Sequence, residues 1–446
     1  MDWYSKISGL GGDLLGQLRP ADASSGQFAM NTAHTDLPRL EPDSEAVPHV
    51  PFALVGLTQG GLDTSPLRRG NLERVYTAFD VSQPVANADD LRGRDVEVSA
   101  LLSGVLYRQT HGIVVGPRGS GKTSLVRVFG QYADREGIVV LYSACDDETS
   151  FGEMMRSYLD QIPASSLDPD DVETFRQRVK SFGADSTPHH ATAILAMLKY
   201  SRLIIILDEY DRITDPDLQG QISSLLKLIS DARIPARFVL VGGEAAFVDI
   251  VRGHVSLMRH VTRVSTYPLR SDAVYELLDR CADQCELEFT DSAKRLIDAM
   301  ACGSPYHTRL FGMHAALAAH HDSSAEIDVR HVFDGFERAF DEWSLLNTTA
   351  AITFREICDG VHGDPLPLVK LAESLARSGA DPDSMPADSV AESSSIKTAA
   401  SFAVFGSAIN EIDGSVTFRD ATAPQFLIAL YRTRNRNADD KGARNA

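Results

Sequence analysis

The chain has 446 residues, 43% hydrophobic and 24% charged, with a net charge of −19. That length gives room for two or three domains and a large core, and the composition is ordinary for a soluble globular protein. The segments 1–90, 91–345 and 346–446 are each acidic, which argues against strong non-specific binding to nucleic acid and leaves open only a local basic patch.

Residues 1–18 place Trp3, Tyr4, Ile7, Leu10, Leu14, Leu15 and Leu18 at a spacing suited to a short amphipathic helix, weakened by Gly9, Gly11 and Gly12. A loosely ordered tail is the plainer alternative. Six prolines over 19–70 suggest a linker or extended arm. Val98, Leu101, Leu102, Val105 and Leu106 mark one helical face. Strands and helices then alternate. Strands are expected at 112–115, 137–142, 203–207, 237–241 and 261–265. Helices are expected from the 116–123 loop to about 134, then at 150–162, 171–182, 190–200 and 217–232. The run Leu203-Ile204-Ile205-Ile206-Leu207 has no polar member and belongs in the centre of a sheet covered on both faces. Such alternation predicts a parallel sheet with helices on both sides. After Pro268 only helices are expected, at 271–285, 291–301, 305–320 and 328–344. A third region offers helices at 348–359, 366–378 and 396–409, then a hairpin signalled by Asp413-Gly414. Three helices and a hairpin suggest a winged helix.

Between the first strand and its helix stands Gly116-Pro117-Arg118-Gly119-Ser120-Gly121-Lys122-Thr123, followed by Ser124. It fits the phosphate-binding loop G-x-x-x-x-G-K-[ST] in the strand–loop–helix context the motif requires. The glycines let successive N–H groups turn inward on phosphate oxygens, and the helix N-terminus adds positive potential. Lys122 would neutralise the outer phosphates, and the Thr123 hydroxyl would ligate Mg²⁺. The strand at 203–207 runs into Asp208-Glu209. Taken alone, this is as readily a strand ending in a solvated acidic turn. With the loop upstream, Asp208 becomes the acid that holds Mg²⁺ and Glu209 the group that polarises the attacking water.

Together these motifs resemble the AAA+ ATPases, above all the branch of origin-recognition-type initiators and related STAND ATPases. Leu91-x-Gly93-Arg94-x-x-Glu97 is similar to the box that opens those modules, which in the family lies against the adenine. Gly303-Ser304-Pro305-Tyr306 looks like the G-x-P motif of the helical lid, and Tyr267-Pro268-Leu269 like the strand-to-lid junction. The resemblance implies ATP or ADP with Mg²⁺ bound between a sheet domain and a lid. Gly93, Arg94 and Pro305 would lie near the nucleotide, beside the loop residues Gly116 to Ser124. The chain also departs from the family. Gly242-Gly243-Glu244-Ala245 stands where many members place an Asn or Thr that senses the γ-phosphate, with Glu244 a poor substitute. The lid arginine three residues after the glycine is replaced by Tyr306. Arg309 comes one turn later and reaches the nucleotide only if the helix is rotated. For an arginine acting in trans, Arg252, Arg259 and Arg263 are candidates, with Arg259 preferred and surface salt bridges the alternative for each.

The remaining clusters are plainer. His189-His190 falls in a predicted loop without a third metal ligand. The acids of Asp168-Pro169-Asp170-Asp171 mark a helix N-terminus. Arg432, Arg434 and Arg436 form a basic tail, more readily solvated than bound to nucleic acid. Cys145, Cys281, Cys285, Cys302 and Cys358 lack C-x-x-C spacing and fit buried thiols in a reducing cytoplasm. No apolar run of 18 residues predicts a membrane span, and the N-terminus lacks the pattern of a secretory signal.

The expected fold is thus α/β, a three-layer P-loop NTPase with a parallel sheet, followed by a helical lid and a C-terminal winged-helix-like domain. The boundaries are an N-terminal segment and Pro-rich linker over 1–70, an ATPase core over 71–268, a lid over 269–345, a winged-helix-like domain over 346–432 and a polar tail over 433–446. The expected function is a cytoplasmic, nucleotide-dependent ATPase switch. It would control engagement of a partner protein that supplies effector chemistry, within a homo-oligomer; DNA is less favoured by the charge. The alternative is a nucleotide-gated binding module with little turnover, its output a protein or DNA contact through the winged helix.

Overall fold

The structure is a computed structural model that describes residues 66–85, 87–146, 150–243, 247, 255–377, 404–405, 408–412, 415–418, 420 and 422–443. The 1–18 segment, most of the 19–70 linker, Glu244, Arg252, the Asp413-Gly414 turn and most of the helix expected at 396–409 lie outside these residues. In chain order the elements are α1 (Pro66–Ala78), α2 (Asp95–Leu102), β1 (His111–Val115), α3 (Lys122–Arg135), β2 (Val139–Ala144), α4 (Phe151–Leu159), α5 (Val172–Lys180), α6 (Pro188–Leu195), β3 (Leu203–Asp208), α7 (Pro216–Asp231), β4 (Ala236–Gly242), β5 (Val261–Ser265), α8 (Ser271–Gln284), β6 (Glu288–Phe289), α9 (Asp291–Ala301), α10 (Pro305–His321), β7 (Glu326–Ile327), α11 (Val329–Leu346), α12 (Thr348–Cys358), α13 (Leu366–Arg377), β8 (Ile409–Ile412), β9 (Ser415–Phe418) and α14 (Ala423–Ala443). They fall into two compact units, one holding residues 95–115 and 129–264, the other 66–94, 116–128 and 265–443.

The first unit is built on a five-stranded sheet in the order β2-β3-β4-β1-β5. The pairs β2–β3, β3–β4 and β1–β4 are parallel. Every residue of β1, β3 and β4 is buried, because strands with no polar alternation need helices over both faces. Of the edge strands, β5 alternates between buried and more exposed positions, while in β2 only Leu141 is buried. Helices start where the sequence supplies caps. Ser150 and Glu153 cap α4 reciprocally, and Asp215 accepts from Asp217 N–H ahead of Pro216 in α7. His189 and His190, expected in a loop, lie instead in the first turn of α6. Pro188 opens that helix and His190 Nδ1 accepts from Thr187 N–H at 3.2 Å. At the start of β1, His111 Nδ1 accepts from Phe238 N–H at 3.0 Å, so its proton sits on Nε2, 3.0 Å from Leu226 O.

In the second unit, helices α8 to α11 follow the expected pattern within a residue or two. The hairpin is present, with Ile409 paired to Phe418 and Ile412 to Ser415 in antiparallel register. The helix α14 was not expected. Residues 423–430 are buried without interruption, so they carry no 3.6-residue polar alternation for a pattern search to find. Phe426 is the centre of this core. It stacks on Trp343 at 4.6 Å between ring centroids and meets Phe311, Phe336, Phe340 and His307 within 6.5 Å. The expected basic tail is likewise part of this helix. Arg432 pairs with Glu373 at 3.1 Å and Arg434 with Asp359, both acids carried by α13 or the end of α12. Cys145, Cys281, Cys285 and Cys302 are buried free thiols. No helix of the described residues is long and apolar enough to cross a membrane.

Truncating Phe426 to Ala removes the hub of this cluster, with an expected loss of about 3–5 kcal/mol in chemical denaturation. Burial holds His111 and His307 down at about 3 and His314 at about 4, well below the ordinary 6.5. The folded protein therefore keeps these rings neutral, while the unfolded chain takes up protons below about pH 6.5. Their contribution to stability is complete above that pH and is lost as pH falls towards 3–4. Thermal melts should fall steadily between pH 7 and 4, and His307→Gln should make that fall shallower; an unchanged slope would remove His307 from the account.

Candidate nucleotide site

In the second unit the loop Gly116–Thr123 is held from several sides. Gly116 passes so close to Thr266 that a Cβ would sit 2.0 Å from its Oγ1 and 2.9 Å from its carbonyl oxygen. Ser120 Oγ lies 2.6 Å from Thr266 Oγ1. Lys122 Nζ donates to Gly116 O at 2.9 Å and Pro117 O at 3.0 Å, so the ammonium is folded back over the loop. Lys122 opens α3, with Thr123 and Ser124 in its first turn, where helical N–H groups have no partner within the helix. Ser124 Oγ accepts from Val85 N–H at 3.1 Å.

Arg94 is only 3% exposed, and its Nη2 donates to Ser120 O at 2.9 Å and to Tyr267 O at 2.6 Å. It braces the loop and the strand-to-lid junction. Gly93 beside it packs on Ala273 of α8. Gly303, at φ +74, lies where a Cβ would meet the Leu269 backbone at 2.5 Å, and Leu269 N–H donates to Gly303 O at 2.7 Å. The lid turn therefore closes directly on the junction. Ser304 caps α10, Pro305 is its first residue, and Tyr306 N–H reaches Gly119 O at 3.4 Å. Arg118 is exposed and acts electrostatically on Asp420. Arg309 donates to Ala78 O at 3.1 Å and Asp90 O at 3.4 Å, so it fastens the segment before the Gly-Arg box. The structure thus brings together Gly93, Arg94, Pro305 and the whole loop.

The first unit carries the acids. Asp208, 3% exposed, ends β3. Leu207 and Ile113 both pair with Leu240, so Asp208 stands one residue short of the level of Val115, where the chain leaves β1 for the loop. Tyr142 of β2 donates its phenol to Asp208 Oδ2 at 2.6 Å, and Glu209 N–H donates to Oδ1 at 2.8 Å. Tyr142 was missed because an apolar strand ending in Leu141-Tyr142 reads as packing; its hydroxyl matters only through the β2–β3 register, in which Tyr142 sits opposite Ile206. Glu209 takes a left-handed backbone, φ +52, and its exposed carboxylate pairs with Arg212 at 3.1 Å. Cys145 accepts no role as a nucleophile: burial, with Asp208 nearby, pushes its thiol up to about 12. Gly242 ends β4 and lies against Asp211, whose Oδ1 would be 2.6 Å from an added Cβ. Arg259 is exposed on the turn Val255–His260 ahead of β5.

The residues fit a nucleoside triphosphate with a hard divalent cation. The loop offers backbone N–H groups and an ammonium. The side chains expected to hold a metal, Thr123 and Asp208, carry oxygen donors of the kind Mg²⁺ takes. Around Gly121 the nearest atom to an added Cβ is 3.9 Å away, which leaves room against the loop.

The family model of the AAA ATPase domain matches residues 90–241. None of the curated proteins compared matches the chain. Among solved structures, a Walker-type ATPase of Pyrococcus abyssi is similar at 14% identity, covering 78% of this chain and 99% of that one with a TM-score of 0.49. The Orc1 protein of Aeropyrum pernix, solved in complex with DNA, is 14% identical over 81% of this chain and 98% of its own, with a TM-score of 0.41. The RuvB Holliday junction branch migration motor of Thermotoga maritima is 16% identical over 76% and 95%, with a TM-score of 0.40. The sheet order, the loop after β1, the acids after β3 and the family match agree: the chain carries an AAA ATPase domain over residues 90–241, on a P-loop fold.

Proposed function

We propose that the protein is a nucleotide-dependent switch that binds ATP with Mg²⁺, hydrolyses it, and passes the state of the phosphate loop to the lid and the C-terminal region. The observation that carries this reading is the brace at Arg94. One guanidinium holds the loop at Ser120 and the lid junction at Tyr267, so a shift at either is felt at the other. The tie between Tyr306 and Gly119 acts in the same sense.

In this reading Lys122 leaves the loop carbonyls and neutralises the outer phosphates. Thr123 and Asp208 hold the cation, which, when bound, offsets charge that develops on the phosphates. Glu209 orients and polarises the attacking water, and must part from Arg212 to do so. Tyr142 fixes the orientation of the Asp208 carboxylate. Arg259 stays the preferred residue for action in trans on a neighbouring copy, and the third region acts as a winged-helix-like output towards a partner protein. The domain order that supports this output is core, lid over 269–345 and winged-helix-like region over 346–432.

Lys122→Ala should abolish ATP binding in equilibrium dialysis. Glu209→Gln should retain ATP yet lose about 100-fold in single-turnover hydrolysis; hydrolysis at the wild-type rate would refute its role, and near-zero turnover by the wild type would refute the hydrolytic switch. Tyr142→Phe should raise the Mg²⁺ concentration for half-maximal turnover about tenfold, the scale of one hydrogen bond to a charged group. An unaltered Mg²⁺ dependence would show that the phenol does not position Asp208.

A further inference from the structure

The turns at the amino-terminal end of the sheet carry positive charge that the surrounding residues do not neutralise. In the strand order β3-β4-β1, Arg202 immediately precedes β3, Arg233 lies on the turn before β4, Arg237 is the second residue of β4, and Tyr107-Arg108 lead into β1. Their hydrogen bonds go to neutral oxygens. Arg202 Nη1 donates to Leu106 O at 2.9 Å, Arg237 Nε to Gln109 O, and Arg108 Nη2 to Thr262 Oγ1 at 3.2 Å. Two guanidiniums are thus gathered on the short 106–109 turn that itself carries Arg108. None of Arg108, Arg202, Arg233 and Arg237 has an ion pair with a carboxylate among the described residues. Lys199, close by in sequence, shows the contrast, since Asp168 neutralises it at 2.7 Å. Arg108 and Arg233 are exposed, and the Tyr107 ring beside them is 67% exposed. Arg237 is 9% exposed, and burial pulls its pKa down, as expected of a cation without a counter-charge.

In a chain of net charge −19, four uncompensated arginines on adjacent turns call for an external polyanion. Guanidinium forks match phosphate oxygens, and an exposed tyrosine offers a ring face to a base. Three adjacent strands span about 10 Å, which an extended single strand covers with about two nucleotides and the three phosphates that flank them. We propose that this edge of the sheet binds single-stranded nucleic acid, with Arg108, Arg202 and Arg233 on the phosphates, the buried Arg237 adding positive potential beneath them, and Tyr107 stacked on a base. The site lies at the opposite end of the strands from Asp208 and does not rest on the nucleotide reading.

The test is fluorescence anisotropy of a labelled oligothymidylate of about 20 nucleotides with the full chain. Binding should weaken with salt at a log–log slope of about −2, the release expected from about three neutralised phosphates. The charge-reversed double variant Arg108→Glu, Arg233→Glu, with both side chains exposed, should bind at least about tenfold more weakly, and Tyr107→Ala about fivefold more weakly. ATP binding by these variants reports that they are folded, and Lys122→Ala should keep the oligonucleotide affinity of the wild type. The proposal is overturned if the wild type shows no salt-sensitive binding at low ionic strength, or if the double variant binds as tightly as the wild type. It is also overturned if the double variant alters only the sedimentation of the protein, which would assign the patch to contact between copies.

Discussion

The phosphate loop depends on one buried cation. Taking a guanidinium out of water costs several kcal/mol unless its donors are met, and Arg94 Nη2 offsets part of that cost with the carbonyls of Ser120 and Tyr267. Both carbonyls belong to segments that make no regular secondary structure at those residues, so the arginine supplies the order that a helix or strand would otherwise give. Around it the backbone comes together with no room for side chains, as at Gly116 against Thr266 and Gly303 against Leu269. The Gly-Arg box therefore serves here as a structural brace for the loop, and the turn at Gly303 has a short hydrogen-bonded route to it through Leu269 and Tyr306.

The acidic half has the opposite character. Asp208 is fixed by two short donors, one from Tyr142 and one from the Glu209 backbone, in a buried strand end. Glu209, the next residue, is exposed, left-handed and paired with Arg212. A non-glycine residue in the left-handed region stores of order 1 kcal/mol or more, and such strain clusters where a side chain must be aimed. On the proposed function, the rigid acid is the one asked to hold a metal, whose position must not drift, and the strained, salt-bridged one is the group that would have to part from Arg212 to act.

Much of the fold was legible because it rests on periodicity. The buried runs of β1, β3 and β4 and the amphipathic lid helices announce themselves in single stretches of chain, and so do the loop Gly116–Thr123 and the acids after β3. What escaped was made by pairing between distant stretches or by burial that erases pattern. Helix α14 is buried on all sides over 423–430, Gln425 included, and so has no polar stripe there. Tyr142 becomes part of the acidic site only when β2 registers against β3. Arg309, weighed for the nucleotide, is held by Ala78 and Asp90, partners more than 200 positions away in sequence. The basic edge of the sheet is a sum over three turns, each unremarkable alone, in segments whose overall balance is acidic.

At the start of α10, His307 beside Tyr306 joins two distant parts of the second unit. Ser304 Oγ lies 2.9 Å from His307 Nδ1, and Thr422 O is 3.0 Å from Nε2. With the ring kept neutral by burial, Ser304 donates to one nitrogen and the other donates to the carbonyl. The same imidazole therefore holds the cap of α10 and the entry to α14. Asp420, two residues before that carbonyl, binds Trp343 Nε1 and feels the charge of Arg118 in the loop. The neutral histidine ties the turn beside the loop to the aromatic core around Phe426, so that one uncharged ring joins the start of α10 to the C-terminal helix.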